Sequence, residues 1–318
     1  MFQIGKPGSL NNIKNLLVML FFLILLVVQL SAQVINSEIE QAELYFKNQD
    51  WQNAVKMYEK ILTENPEMGK AWFNLGFSYY SLNEYDKAID AYKKANDLEY
   101  NLPGTRYNLA CAYALLDDKN MALSWLTQSI AAGFRQIQLL HSDPDLKNLR
   151  QDARFQELAI QLDENVHPCL YDPKYREFDF WVGEWDVYNP QGQKVGSNSI
   201  RKMQKNCVLL ENWKSVRGSG GMSINYYDPA AKKWKQNWVD EFGGIIWYEG
   251  DIVNQAMHFT GEHIDKDGNR EIARVVLELL PDGRVHHLIE HSKDEGKNWY
   301  TWFEGYYQRK QAEDKNAE

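Results

Sequence analysis

Two hydrophobic periods divide the chain. Between about residues 36 and 136, small and aromatic residues recur every 34 positions: Ala42, Gly76 and Ala110; Tyr45, Tyr79 and Tyr113; Ala54, Ala88 and Ala122; Tyr58, Tyr92 and Leu126. Small residues let two helices approach closely, and rings fill the space beside them, so the recurrence predicts packed helical hairpins in three repeats. From about Pro168 the period falls to two, and turn signals ("NPQGQ", "GSGG", "DPAAK", "DKDGN", "PDGR", "KDEGK") separate short segments rich in Val, Ile, Tyr and Trp. This spacing predicts an antiparallel sheet of roughly nine or ten strands, and closure into a barrel removes the edges that an open sheet would expose. The expected fold class is therefore an α + β two-domain chain, an N-terminal α-solenoid of helical hairpins followed by a C-terminal antiparallel β-barrel.

The flanking segments have their own patterns. Lys6 and Lys14 precede an apolar run, Leu16 to Val28, which is followed by the small residues Ser31 and Ala32. That is the three-part layout of a secretory signal, and the run is shorter than the roughly 20 apolar residues needed to span a bilayer. Cleavage after Ala32 is expected, a retained anchor being the other reading, and Gln33 in place of Cys excludes lipid attachment there. After the third repeat, "SDPDLKNLRQDARFQELAIQL" (Ser142 to Leu162) reads as an N-capped helix with a second short turn, closing a stack whose last apolar face would otherwise meet water. The expected organisation is a signal peptide over 1–32, a repeat domain with capping helix over 33–165, a barrel over 166–310 and a disordered tail over 311–318, exported to the periplasm or beyond.

Composition narrows the partners. The 318 residues carry a formal net charge of -9, which removal of Lys6 and Lys14 would deepen, and no basic patch stands out, so nucleic acid is excluded as a partner. Eight of the eleven tryptophans (Trp181, Trp185, Trp213, Trp234, Trp238, Trp247, Trp299, Trp302) fall in the C-terminal half, which supports two separate cores. Of three cysteines, Cys111 sits in the helical "NLACAYAL" as a small buried thiol, while Cys169 and Cys207 share the barrel domain. Export permits a disulfide between them, closing a loop of 38 residues.

Strand alternation also assigns faces. One face of "CVLLENWKS" carries Leu209, Glu211 and Trp213, and one face of "WKQNWVD" carries Trp234, Gln236, Trp238 and Asp240. Large rings interleaved with single polar groups describe the lining of a ligand cavity, or else an outer girdle. A small apolar or amphipathic molecule is the expected guest, with no cofactor, no metal and no catalytic residue assigned. An enzyme using Glu211, Trp238, Asp240 and Glu241 is the rival, and it requires a carboxylate with a raised pKa inside the barrel; a purely structural envelope adaptor is the third reading.

Other motifs point to chemistry less well. "HLIEH" (His287 to His291) spells an inverted zinc-protease signature, but on a strand its two histidines stand about 13 Å apart at roughly 3.3 Å per residue. Among His258, His286, His287 and His291, a surface scatter is expected. "DKDGNRE" (Asp265 to Glu271) has its glycine two places too early for a calcium loop, and "RGSGG" (Arg217 to Gly221) lacks a following helix, so both read as turns. Glu184 and Asp186 share a strand face and read as solvated. In "FDFWVGEWDV", Phe178 to Trp181 read as a lead-in that plugs one end of the barrel with rings, and "EWDV" as the first strand with Trp185 inward.

The repeat positions resemble the tetratricopeptide repeat, most closely in "AWFNLGFSYYSLNEYDKAIDAYKKA", which carries Trp72, Leu75, Gly76, Tyr79, Ala88, Tyr92 and Ala95, with Pro66 closing the unit before it. Glu38 and Arg106 replace the family's tryptophan in the outer units. The resemblance implies a concave groove for a protein or peptide partner, faced by Phe73, Phe77, Tyr80 and Tyr107. "YREFDFWVGEWDV", "CVLLENW", "NYYDPAAKKWKQNWVD" and "DGRVHHLIEHSKDEGKNWYTWFEGYY" resemble a secreted bacterial domain family that looks like the calycin-like barrels, the group of lipocalins, fatty-acid-binding proteins and nitrobindins. That resemblance covers about residues 168–309.

Overall fold

The computed structural model describes residues 8–264 and 270–310. It divides after Val166 into two compact units. The first is built from α1 (Gly8–Lys47), α2 (Trp51–Glu64), α3 (Gly69–Ser81), α4 (Tyr85–Asp97), α5 (Leu102–Leu115) and α6 (Lys119–Ala131). The second helix of each hairpin thus begins at residue 51, 85 or 119, the spacing of the repeat. Two residues before each start, Gln49, Asn83 and Asp117 adopt left-handed backbone with φ of 58°, 62° and 60°, so the turn recurs with the helices. Ala54, Ala88 and Ala122 are fully buried, and a side chain at Gly76 would meet the Tyr92 ring at 2.7 Å. The close approach that the small residues signalled is present. The apolar run Leu16 to Val28 lies within α1, continuous with the first repeat. Among the described residues no helix is long and apolar enough to cross a membrane.

The segment after α6 departs from expectation. Where an N-capped helix with a second short turn was expected, the chain forms α7 (Ile137–Ser142), an N-capped 3₁₀ turn over Pro144–Leu149 and then α8 (Ala153–Val166), so the short turn precedes the helix. The cause is local: Asp143 accepts from the backbone of Asp145 with Pro144 at the first helical position, and Asp152 accepts again from the backbone of Arg154. Leu146 and Leu149 are fully buried in the core formed by α5, α6 and α8. The 3₁₀ turn also ties back to the repeats. Tyr107 donates to Asp143 at 2.8 Å, Tyr80 donates to Asp145, and Asn148 donates to the carbonyl of Ala114 at 2.8 Å.

The second unit is a closed barrel of ten antiparallel strands: β1 (Gly183–Tyr188), β2 (Lys194–Met203), β3 (Val208–Ser215), β4 (Gly220–Asp228), β5 (Lys233–Asp240), β6 (Ile245–Val253), β7 (Ala256–Ile264), β8 (Arg270–Leu279), β9 (Val285–Ser292) and β10 (Tyr300–Arg309). Each strand pairs with the next, and β1 closes on β10 through Trp185 opposite Arg309 and Val187 opposite Tyr307. Ile264 pairs with Arg270 across "DKDGN", residues 265–269; these residues and the expected tail, 311–318, lie outside the described residues. Outward carboxylates meet cations. Asp186 pairs with Lys194, Glu184 with Arg201, and Glu290 with Arg274.

One end of the barrel is packed shut. Phe178, Trp181 and Trp185 are fully buried, Phe178 stacks on Trp181 at 5.0 Å, and Trp185 Nε1 donates to the Trp181 carbonyl. The lead-in adopts a 3₁₀ turn over Asp179–Trp181 before β1 begins at Gly183. Cys169 and Cys207 are bridged, tying the segment before the plug to the start of β3. In the chain-entropy account, closing such a loop contributes roughly 3–4 kcal/mol. Cys111 is free and buried.

Candidate functional site

Above the plug, side chains from five strands, β3, β5, β6, β9 and β10, line a cavity of about 110 Å³. Its walls are apolar and largely aromatic: Trp213, Trp238, Ile246, Tyr248, Ile289, Trp302 and Phe303. The Trp238 ring lies against β4 because Gly221 has no side chain to block it; a Cβ there would fall 2.3 Å from the ring. Glu211, Gln236, His287 and Tyr307 bring polar atoms to the same space.

Those polar groups form one network. Glu211 is buried and accepts from Asn198 Nδ2 and from Ser223 Oγ, each at 2.6 Å. Ser223 in turn receives Asn225 at 2.8 Å and Gln236 at 3.3 Å. Asn198 reaches Tyr307 Oη at 3.4 Å, and that hydroxyl lies 3.0 Å from His287 Nδ1. Burial with no cation beside it pushes the Glu211 carboxyl up to about 7, although the two hydrogen bonds favour its ionised form. Burial, helped by neighbouring His286, holds the His287 imidazole down to about 3. Asn198 Oδ1 and His287 Nε2 are buried without a hydrogen-bond partner. The cavity thus offers a guest a carboxyl whose pKa burial raises, a neutral imidazole, and one unsatisfied polar atom on a lining residue, His287 Nε2.

The structure sorts the residues expected to line the barrel. Glu211, Trp213, Gln236 and Trp238 come together around the cavity. Leu209 and Trp234 lie on the same inner face but belong to the packed core, where Trp234 meets Phe178 edge-on at 5.6 Å. Asp240 is a correction: at the end of β5 its carboxylate accepts from the backbone of Phe242 and Gly244, each at 2.9 Å, and it serves the turn. Glu241 is exposed. Strand alternation distinguishes inside from outside, but it does not encode depth along the barrel axis.

The histidines also differ from the expected surface scatter. His258 is exposed, and His286 faces outward to Glu304 at 3.1 Å. His287 and His291 point inward and are buried. Tyr307, Asn198 and Tyr248 were not singled out by the sequence, and His287 was placed among the surface histidines. Their signal was inward alternation, and their convergence depends on closing strands as far as 109 residues apart.

The expected groove residues are also redistributed. Tyr107 is buried, stacked on Phe134 at 4.5 Å with its hydroxyl on Asp143. Tyr80 is half-buried and bonded to Asp145. The chain's own 3₁₀ turn therefore occupies the surface that these two were expected to offer. Phe77 packs with Phe46 and Trp51, and Phe73 with Tyr92 and Tyr100, all at 5.4–5.7 Å. Both phenylalanines remain half-buried.

Comparison with family models supports the repeat assignment. A tetratricopeptide-repeat family model matches residues 39–98. A chloroplastic protein of Arabidopsis thaliana is 27% identical over 93 residues, 28% of this chain; the match spans 28% of that relative's length. Among solved structures, YrrB, described as a tetratricopeptide-repeat protein with an unusual peptide-binding site, is 19% identical with a TM-score of 0.35, covering 43% of this chain and 71% of YrrB. PcrH, solved in complex with the chaperone binding region of PopB, is 17% identical with a TM-score of 0.30, covering 40% of this chain and 94% of PcrH. Residues 39–98 of the N-terminal unit thus match the tetratricopeptide repeat, and the same chain carries a ten-strand β-barrel.

Proposed function

We propose that the chain is an exported adaptor whose repeats recruit a protein and whose barrel, of the lipocalin-like kind, holds a small amphipathic ligand without transforming it. The observation that carries the ligand reading is the cavity itself: aromatic walls beside Glu211, Gln236, Tyr307 and His287, whose buried Nε2 has no partner and would be satisfied by a guest's polar group. Its volume limits the guest. An apolar cavity of about 150 Å³ takes a benzene ring, so a space of about 110 Å³ fits one ring or a short chain better than a long acyl tail.

The test uses the full chain with indole and phenol as ring probes and hexadecanoate as the long-chain comparison. Indole or phenol should raise the barrel's melting temperature and appear as a one-to-one complex by native mass spectrometry, with hexadecanoate giving neither. Ile246→Phe, which fills the cavity from β6, should abolish the effect. No complex with either ring probe, or an equal shift in the filled variant, would rule this reading out.

The raised Glu211 carboxyl favours a second reading, an enzyme using Glu211 as a general acid or base, since a group titrating near neutrality is suited to proton transfer. The two readings diverge after incubation with a small-molecule extract. Simple binding returns the bound compound at unchanged mass, whereas catalysis gives a new mass that Glu211→Gln abolishes.

Export is supported by the segment from Lys14 to Ala32 and by a disulfide, which persists in oxidising compartments. The mature chain recovered from a periplasmic or culture fraction should begin at Gln33 with Cys169 and Cys207 oxidised. A full-length cytoplasmic chain with three free thiols would refute export.

A further inference from the structure

His263, Glu271 and His291 stand on three consecutive strands, β7, β8 and β9, at the end of the barrel where Tyr300 and Trp302 of β10 also lie. The ladder puts His263 directly opposite Glu271, and it pairs His291 with Ala273, which makes Glu271 and His291 diagonal neighbours. Residues so placed on one face of a sheet are within side-chain reach. Each of the three offers a ligand atom, and these atoms all lie within 4.8 Å of one another.

Two further observations indicate that the cluster is built to hold something. His291 is only 1% exposed, yet its Nε2 has no partner; His263 is half-buried, and its Nδ1 atom is likewise buried without one. Buried ring nitrogens without a hydrogen bond are uncommon, and an ion lying between them would satisfy both. The surrounding contacts fix the ligands in place. Trp302 stacks on the His291 ring at 5.2 Å with the planes 2° apart, His291 Nδ1 lies 3.0 Å from Glu271 Oε2, and Tyr300 donates to the same oxygen at 2.6 Å. The Tyr300 bond is an outer contact of the kind that ligating carboxylates typically carry, which sets orientation, while the His291–Glu271 contact joins two members of the cluster.

We propose that this cluster binds a divalent first-row transition ion such as zinc through His263, Glu271 and His291. Two imidazoles and one carboxylate suit Zn²⁺, Fe²⁺ or Cu²⁺ and poorly suit Mg²⁺ or Ca²⁺, which take oxygen ligands. Three protein ligands leave a fourth position for water or a guest. Trp302 also lines the cavity, so the ion would sit at its rim, although the proposal does not depend on ligand binding there. It revises the expectation of no metal. The strand geometry of "HLIEH" still separates His287 from His291, but the sheet supplies His291 with partners 20 and 28 residues upstream. The second such cluster among the described residues, Cys111 with Asp143 and Asp145, carries no proposal, because those carboxylates already bind Tyr107 and Tyr80.

The rival is a purely structural polar cluster, in which Tyr300, His291 and Lys293, whose Nζ is 3.4 Å from Glu271 Oε1, satisfy the carboxylate. The two are separated with untagged, metal-free full chain, titrated with Zn²⁺ by calorimetry and with Co²⁺ by visible spectroscopy. The proposal expects one equivalent bound and a Co²⁺ spectrum that Zn²⁺ displaces. His263→Gln and Glu271→Gln, both outside the packed core, should each weaken binding by about 10–100-fold or more, while His258→Gln, exposed on the same strand as His263, should match the parent. Absence of saturable binding in the parent overturns the proposal whether or not the variants fold. So does binding that both cluster variants retain at parental affinity, which would mark adventitious surface histidines.

Discussion

Trp181→Ala should lower the stability of the barrel unit by about 3–5 kcal/mol, the cost of removing a large buried ring and leaving a cavity. The ring is fully buried, stacked on Phe178 at 5.0 Å and 19°, and it meets Tyr307 and His287 edge-on at 6.4 and 6.3 Å. It therefore separates the packed end of the barrel from the polar floor of the cavity. Its neighbours are ill placed to collapse into the gap, because Trp185 and Trp234 are each held by their own strands and by hydrogen bonds to the Trp181 carbonyl and to Glu177. Urea unfolding followed by tryptophan fluorescence reads the barrel transition, and Trp247→Ala, where the ring is 71% exposed, serves as the near-neutral control. A Trp181→Ala change of less than about 1 kcal/mol, within the range of ordinary surface substitutions, would mean that the aromatic lead-in is not a packing element, and "FDFWVGEWDV" would again be a candidate for function.

Legibility of the sequence followed the range of the interactions. The repeat was readable because its determinants are local. Ala54, Ala88 and Ala122 mark helix contacts in the sequence, and the structure adds turns at Gln49, Asn83 and Asp117 at the same spacing. The inner faces of β3 and β5 were readable for the same reason, alternation being a property of one strand. What was not legible came from closure. Glu211 receives its partners from β2 and β4, and the Tyr307–His287 pair belongs to β10 and β9. Within one strand, Trp234, Gln236 and Trp238 look equivalent, but the plug buries the first while the other two face the cavity. The groove aromatics failed for a related reason. Family position places Tyr80 and Tyr107 on a common surface, but nothing local to them reveals that Pro144–Leu149 returns to cover it.

The paired titrations of Glu211 and His287 should give the barrel a stability profile that single variants take apart. His287 is neutral in the fold with its pKa lowered from 6.5 to about 3, so the stability present above pH 6.5 is lost as pH falls toward 3, about 5 kcal/mol in all at 1.36 kcal/mol per unit. Glu211 works in the opposite sense. With its pKa raised from 4.5 to about 7, its contribution is full below pH 4.5 and is lost as pH rises through 7, about 3 kcal/mol. From these two groups the parent should gain about 2 kcal/mol between pH 3 and 4.5, change little to 6.5 where the slopes cancel, and fall slightly by pH 7. Glu211→Gln removes the descending limb, so its stability should climb throughout from pH 3 to 6.5. The difference between parent and variant, taken from urea unfolding at each pH, cancels the titrations of more distant groups that the two proteins share. It should shrink by about 3 kcal/mol from pH 4.5 to 7. Parallel profiles would show that Glu211 titrates in the folded barrel as it does in the unfolded chain, near 4.5, and is therefore ionised at neutral pH. That outcome would remove the neutral-pH carboxyl from the cavity, and with it the observation that keeps catalysis in consideration.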